Sequence, residues 1–347
     1  MAVIGPQGVS PFKGLSVNSP EIADLAHYLI GDDDVEVEVL EVGHWTIRET
    51  FAEEYHKDGT NVFILGDAAH RHPPTFGLGS NTAIQDAYNL AWKVAYVRKG
   101  WAGPGLLKTY SPERQPIGET LVRESNNQIR ANTAVWQSLG LAAPPEDGVK
   151  YIAELSSVSP EGKARRDKFH DALEAKRQEL ESLGLAYNHW YTSDAVYLGD
   201  ETESRPEVVG DPIVNTQIST YPGSRLPHVW LDLPARRKKI STHDIAGKGS
   251  FCLLVGVGGK PWELAAERVK KATGIPLSTY GIGPGLNYID IHRDWYRKRG
   301  VSDEGCVLVR PDRFVAWRSS GRVEDHYDKL LVVLDAVLLR HEMSLET

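Results

Sequence analysis

Cysteine is nearly absent: Cys252 and Cys306 are the only two in 347 residues. Two thiols cannot build a disulfide framework or a four-ligand zinc site, and no C-x-x-C occurs, so dithiol redox chemistry is not expected. Apolar neighbours (Phe251, Leu253, Val307) mark both as buried free thiols, which suits a reducing compartment. Long hydrophobic runs are missing too. The longest, 330–339, is broken by Asp335 and is too short to span a bilayer. The opening MAVIGPQGVSPFKG lacks the basic and apolar regions of a signal peptide. A cytoplasmic protein without a membrane partner is therefore expected. Basic charge is in deficit, with 39 Lys+Arg against 47 Asp+Glu and a net charge of −8, which argues against nucleic acid as a partner. What is present is a globular composition, 41% hydrophobic and 25% charged, in a chain long enough for about two domains.

Apolar periodicity organises the chain. Ser19-Pro20 followed by EIADLAHYLIG predicts a capped helix ending at Gly31, with Ile22, Leu25, Ala26 and Leu29 on one face. VEVEVLEV (35–42) alternates as a half-buried strand does, and HWTIRETFAEEY reads as a second strand. Val62 to Leu65 is a continuous apolar run, the mark of a strand buried on both faces. A Gly/Pro-rich loop, RHPPTFGLGSN, then leads into a helix over about 82–99 whose apolar stripe is Ile84, Ala87, Ala91, Val94 and Ala95. LLKTYSPERQPIGETLVRESNN predicts one or two further helices, 141–162 a linker with one helical turn, and KARRDKFHDALEAKRQELESLG a charged, solvated helix. From about Tyr221 the pattern becomes α/β. GSFCLLVGV and GCVLVRPDRFVAWR are strands, PWELAAERVKKATG is the helix between them, and DHYDKLLVVLDAVLLRHE is a closing helix.

A strand ending in Gly66-Asp67, a Gly/Pro loop, and a helix opening at Ser80-Asn81 form an arrangement in which α/β folds place ligands. Asp67 can accept hydrogen bonds from the hydroxyls of a sugar-like chain. Gly77 and Gly79 let backbone approach a flat ligand, and the free N–H groups of the following helix favour negative charge on it.

The segment GDAAHRHPPTFGLGSNTAIQDAYNLAWK, with LLKTYSPERQPIG after it, resembles the second flavin-binding segment of FAD-dependent aromatic hydroxylases. These are single-component monooxygenases of the p-hydroxybenzoate and phenol hydroxylase type, and HRHPPT…GLGSN is most similar to the phenol and chlorophenol branch. The resemblance implies an α/β and α+β architecture: a partial FAD-binding and substrate module plus a C-terminal thioredoxin-like domain. The implied parts are a substrate-domain remnant (1–60), the second FAD-binding segment with its helices (61–140), a helical linker and connecting segment (141–218) and the thioredoxin-like unit (219–347). It also implies FAD as cofactor, NAD(P)H as transient co-substrate, O2 and a phenolic or aromatic substrate as partners, and room for a homodimer. By the same resemblance, Gly66 and Asp67 lie at the ribityl chain of FAD, with Asp67 holding it. Pro74 lies beside the flavin ring, and Gly77, Gly79, Ser80 and Asn81 line the loop and helix start at its pyrimidine edge. No catalytic base is assigned.

Two departures stand out. Phe76 occupies a position where the family has Gly or Asn. The family's strand–G-x-G-x-x-G–helix is not found: Gly256-Val257-Gly258-Gly259 and Gly281-Ile282-Gly283-Pro284-Gly285 match it only in part. A chain beginning inside the substrate domain is expected, whether as a fragment, a truncated gene model or a shortened paralogue. A non-catalytic protein that keeps the same core is the alternative. His70 and His72 have a metal-ligand spacing but no accompanying motif, so a structural role is expected for His70. Packing roles are expected for Arg114 and Pro116 in SPERQP and for Tyr55 and Trp92. Trp45 and Arg48 lie on a strand that could face a substrate.

Overall fold

The computed structural model describes residues 14–43, 46–141, 143–234 and 238–341. The chain divides into two units, Met1–Ile47 and Arg48–Thr347. In the first, helix α1 (Pro20–Ile30) forms as predicted and ends at Gly31, whose φ of 76° lets its N–H return to the His27 carbonyl. Ser19 does not cap it; the Ser19 hydroxyl instead accepts from the Ser16 N–H at 2.9 Å. No α1 residue is buried. The predicted strand at 35–42 does not form, and Leu40 is 81% exposed. Alternation alone does not hold a strand that has no hydrogen-bonded neighbour among the described residues. Trp45 and the opening segment lie outside the described residues.

The second unit begins with a two-residue pair: β1 (Thr50–Phe51) runs antiparallel to β2 (His70–Arg71). The longer strand expected through HWTIRETFAEEY is therefore reduced to Thr50–Phe51. The expected doubly buried strand at 62–65 is also absent. Phe63 makes a single bridge to His56, and Val62 is 60% exposed. A fully buried strand needs partners on both edges, and on this segment only the 55–56 side is paired. Gly66–Ala68 is a 3-10 turn, as is Thr75–Gly77. Helix α2 (Gly79–Arg98) starts three residues before the predicted point, and a 3-10 turn (Pro104–Thr109) leads into α3 (Tyr110–Ser138). The predicted linker holds a full helix, α4 (Pro145–Leu155), followed by α5 (Pro160–Arg177), which packs on α3, and the short α6 (Leu183–Tyr187).

The C-terminal part is built on a mixed sheet. A hairpin of β3 (Trp230–Asp232) and β4 (Lys239–Ser241) and the single turn α7 (Thr242–Ile245) precede it. Then follow β5 (Phe251–Val255), α8 (Lys260–Thr273), β6 (Leu277–Gly281), α9 (Asp294–Lys298), β7 (Cys306–Val309), β8 (Val315–Ser319) and α10 (His326–Val337). Strand order is β6-β5-β7-β8, with β5 and β6 parallel and the other pairs antiparallel. Every residue of β5 and β7 is buried, both cysteines included. One face packs Phe251, Leu253 and Leu308 against α8, α10 and the aromatic end of α2, where Trp92 and Tyr96 meet Phe251 edge-on. The other face buries Cys252, Leu254, Val307 and Val309 against Leu231 and Trp295.

Helix α2 inverts the predicted amphipathicity. Ile84 is 66% exposed, and Ala87, Ala91 and Ala95 are exposed as well. The buried face carries Thr82, Asp86, Asn89, Trp92, Lys93 and Tyr96. Ion pairing is the reason. Glu113 of α3 accepts from Lys93 Nζ at 2.7 Å, Asn89 Nδ2 at 2.7 Å, Ser193 Oγ at 2.6 Å and both Arg310 terminal nitrogens at 2.6 and 2.8 Å. Asp312 closes the group with two further bonds from Arg310. Two cations and two carboxylates thus make a neutral cluster inside the second unit, with Arg310, Lys93 and Glu113 fully buried.

Burial alone would raise the Glu113 carboxyl, but the adjacent Arg310 and Lys93 override it and hold the group far below the usual range. Burial pulls Lys93 down to about 8, which leaves it charged at neutral pH. The ionised pair is the consistent state, because every Glu113 oxygen is occupied by donors and no site remains for a proton. Glu113 binds fewer protons folded than unfolded in acid. Its stabilisation is complete above the unfolded carboxyl range near ~4.3 and is lost as pH falls. Glu113→Gln should cost about 3–5 kcal/mol in urea denaturation and should flatten the acid loss of stability. An equally steep acid limb in the variant would sink this assignment.

Candidate functional site

The loop from Gly66 to Asn81 is shaped by its backbone. Gly66 has φ 55°, and a Cβ there would lie 3.1 Å from the Ala83 Cβ, so only glycine brings this turn against α2. Asp67 is exposed, and its carboxylate makes no hydrogen bond or ion pair with a described residue; its carbonyl accepts from Arg71 Nε at 2.9 Å. Pro74 is exposed and opens a turn closed by Gly77 N–H to Pro74 O at 3.0 Å. Phe76 and Gly77 follow with φ 67° and 64°, two left-handed residues in a row. Helix α2 then starts at Gly79 with no side-chain cap. The amides of its first turn are left without intrahelical partners. Ser80 and Asn81 are exposed, and Asn81 Nδ2 donates back to Gly77 O at 3.1 Å. A free carboxylate and a free, electropositive helix start thus lie on one loop.

A buried ionic support stands behind the loop. Asp86, in the second turn of α2, pairs with His70 Nε2 at 2.8 Å and Arg114 Nε at 2.7 Å, and also accepts from the Gly66 N–H at 3.2 Å. Arg114 further donates to Thr82 O and Tyr191 Oη. Burial would raise Asp86, but the His70 hydrogen bond and the Arg114 charge hold it below its usual value. His72 stacks toward His70, packs within 3.4 Å of where a Gly79 Cβ would sit, and donates from Nδ1 to the Pro73 carbonyl at 2.7 Å. Burial lowers its pKa.

All seven sequence-identified residues lie on this one loop: Gly66, Asp67, Pro74, Gly77, Gly79, Ser80 and Asn81. Gly66 alone is buried, as a packing position. The packing roles expected for Arg114, Tyr55 and Trp92 match their burial, and His70 is held structurally by Asp86. Arg48 is exposed. Asp86 was not singled out from the sequence, although it joins the loop, α2 and α3. Its signal is spacing: 82, 86, 89, 93 and 96 share a stripe, and that stripe ends in aromatic residues.

Residues 13–125 match the FAD binding domain family, and residues 219–339 match the aromatic-ring hydroxylase C-terminal family. Phenol 2-monooxygenase of Pseudomonas sp. (strain EST1001) is 38% identical over 95% of this chain and 54% of its own. The 2,4-dichlorophenol 6-monooxygenase of Delftia acidovorans is 36% identical over 94% of this chain and 55% of its own. Among solved structures, the flavin-dependent monooxygenase PieE in complex with FAD and substrate superimposes with a TM-score of 0.86 at 34% identity, covering 97% of this chain and 56% of that one. The chain spans about half the length of the curated relatives it matches.

The left-handed backbone at Phe76 costs a residue with a Cβ about 1–2 kcal/mol. Phe76→Gly should stabilise the protein by about 0.5–1 kcal/mol after glycine's own entropy cost, read as a higher urea midpoint. A lower midpoint would mean that the ring's packing outweighs the strain.

Proposed function

We propose, from the FAD-binding segment and ring-hydroxylase C-terminal domain that this chain shares with the FAD-dependent aromatic-ring hydroxylases, that it serves the NAD(P)H- and O2-dependent hydroxylation of a phenolic ring. One observation carries the reading. Asp67 offers an unpaired carboxylate and the α2 start offers uncapped amides, both on the 66–81 loop. That is the donor and acceptor set a ribityl chain and a flavin pyrimidine edge require. The residues present fit the flavin end of the cofactor.

Asp67 would accept hydrogen bonds from the ribityl hydroxyls. The amides of Gly79, Ser80 and Asn81 would donate to the pyrimidine edge and favour negative charge there. Pro74 would lie beside the ring, and Gly77 would keep the backbone close to it. The Asp86–His70–Arg114 group holds the loop against α2, so these contacts are fixed before any ligand arrives. FAD, when bound, supplies acceptance of hydride from NAD(P)H and activation of O2 for transfer of one oxygen atom to the ring.

The unit β5–α8–β6–β7–β8–α10 supports a thioredoxin-like reading of residues 219–347: a parallel pair, then an antiparallel hairpin, with helices packed on the sheet. It carries no dithiol. Burial pushes Cys252 and Cys306 well up from the usual thiol range, so packing is their role.

FAD titration of the purified chain, followed by quenching of flavin fluorescence, tests the reading. Saturable binding is expected, weakened at least about tenfold by Asp67→Ala, together with phenol-stimulated NAD(P)H oxidation by the loaded protein. A folded chain that leaves flavin fluorescence unchanged would overturn it.

A further inference from the structure

A cavity lies in the second unit where the segment after α5 meets the approach to β3. Its volume is about 350 Å³, at the lower end of the ~300–1,000 Å³ of small-molecule sites. Its lining is chemically one-sided. Arg205, Arg225 and Lys298 contribute three cations, and no aspartate or glutamate lines it. None of the three side chains makes a hydrogen bond or ion pair with a described carboxylate; Arg205 is exposed, and Arg225 and Lys298 are half-buried. Two of the cations are instead held over aromatic rings, Arg205 at 4.3 Å from the Trp190 centroid and Arg225 at 4.9 Å from that of Tyr187. Such stacking fixes a guanidinium while leaving its N–H edge available.

Two further features mark this as a site for a ligand with an apolar body. Leu183, Val208 and Ile218 line it along with the two rings. His189 also lines it, with an Nδ1 that is sealed from solvent and has no hydrogen-bond partner. Burial, with the charges of Arg114 and Arg225, pushes His189 down to about 3, so its ring is neutral at physiological pH.

We infer that this cavity is a binding site for a small organic carboxylate with a single aromatic ring, its charge met by Arg205, Arg225 and Lys298 and its ring by the apolar wall. The volume suits one ring and its carboxylate rather than a dinucleotide. The site is separate from the 66–81 loop, and none of its lining residues belongs to the proposed flavin contacts.

Titration of the chain with 4-fluorobenzoate, followed by 19F NMR, tests this. Saturable binding is expected below about 10 mM. The double variant Arg205→Gln/Arg225→Gln, and separately Lys298→Gln, should weaken it at least about tenfold with unchanged circular dichroism. The side chains of Arg205, Arg225 and Lys298 make no hydrogen bond or ion pair with a described residue, so those changes leave the fold intact. Neutral 4-fluorobenzamide and inorganic phosphate should both fail to displace the probe. Absence of saturable binding overturns the inference, as does binding that survives all three substitutions, since that places the probe elsewhere. Equal displacement by benzamide removes charge recognition, and equal displacement by phosphate removes ring recognition; either result overturns the assignment.

Discussion

Glu113 is the group around which the second unit is assembled. It sits on α3, yet its partners come from α2, from the segment before β3 and from the turn after β7. A buried carboxylate tolerates little misplacement, because each donor that drifts away leaves charge uncompensated in a low-dielectric interior. That intolerance sets the position of α2 relative to α3 and to the C-terminal sheet. Trp92 and Tyr96 add apolar contact with Phe251 at the same junction. Such contact is less directional than a two-point guanidinium–carboxylate bond, so the ionic group fixes orientation while the aromatic residues add adhesion.

The same helix serves two purposes along its length. Its C-terminal half is locked by Lys93 and Asn89, its second turn by Asp86, and its first turn is left open. Ionic pairing therefore increases away from the helix N-terminus. A site whose donors are backbone amides gains from this arrangement, since amides cannot adjust by rotamer and must be placed by the helix that carries them. The strain at Phe76 sits in the connection between the free carboxylate at Asp67 and those amides.

Much of this was legible in the sequence. The compact glycine–aspartate loop followed by a helix located all the candidate site residues, and the two strand-rich segments near the C-terminus located β5, β7 and β8. Strand β6 was not foreseen, because LSTYG is short and half-polar. The N-terminal strands were read from alternation, and alternation reports which face would be apolar, not whether a neighbouring strand is present to pair with. The failure at α2 has a different cause. Periodicity scoring treats Asp86, Asn89 and Lys93 as solvent-facing, which holds only when no opposite charge awaits them. Their partners, His70 and Arg114 for Asp86 and Glu113 and Asp312 for Asn89 and Lys93, lie between 16 and 223 residues away, beyond the reach of a helix-length window. Trp92 and Tyr96 at the end of the same polar stripe were the one local hint.

The reach of Arg310 has a consequence for biosynthesis. Glu113 and Arg310 are 197 positions apart, an interval of about 10–40 s at ribosomal elongation rates. Over that interval α2 and α3 can form and the Lys93–Glu113 pair can close, but the second positive charge is still unmade and the pair remains exposed on one side. The nascent N-terminal helices therefore wait with Glu113 short of its two Arg310 hydrogen bonds and with Trp92 and Tyr96 uncovered. The late strands of the sheet both finish the core and complete the hydrogen bonding of Glu113, and an interruption of translation before the turn after β7 would release a product with that carboxylate short of its guanidinium.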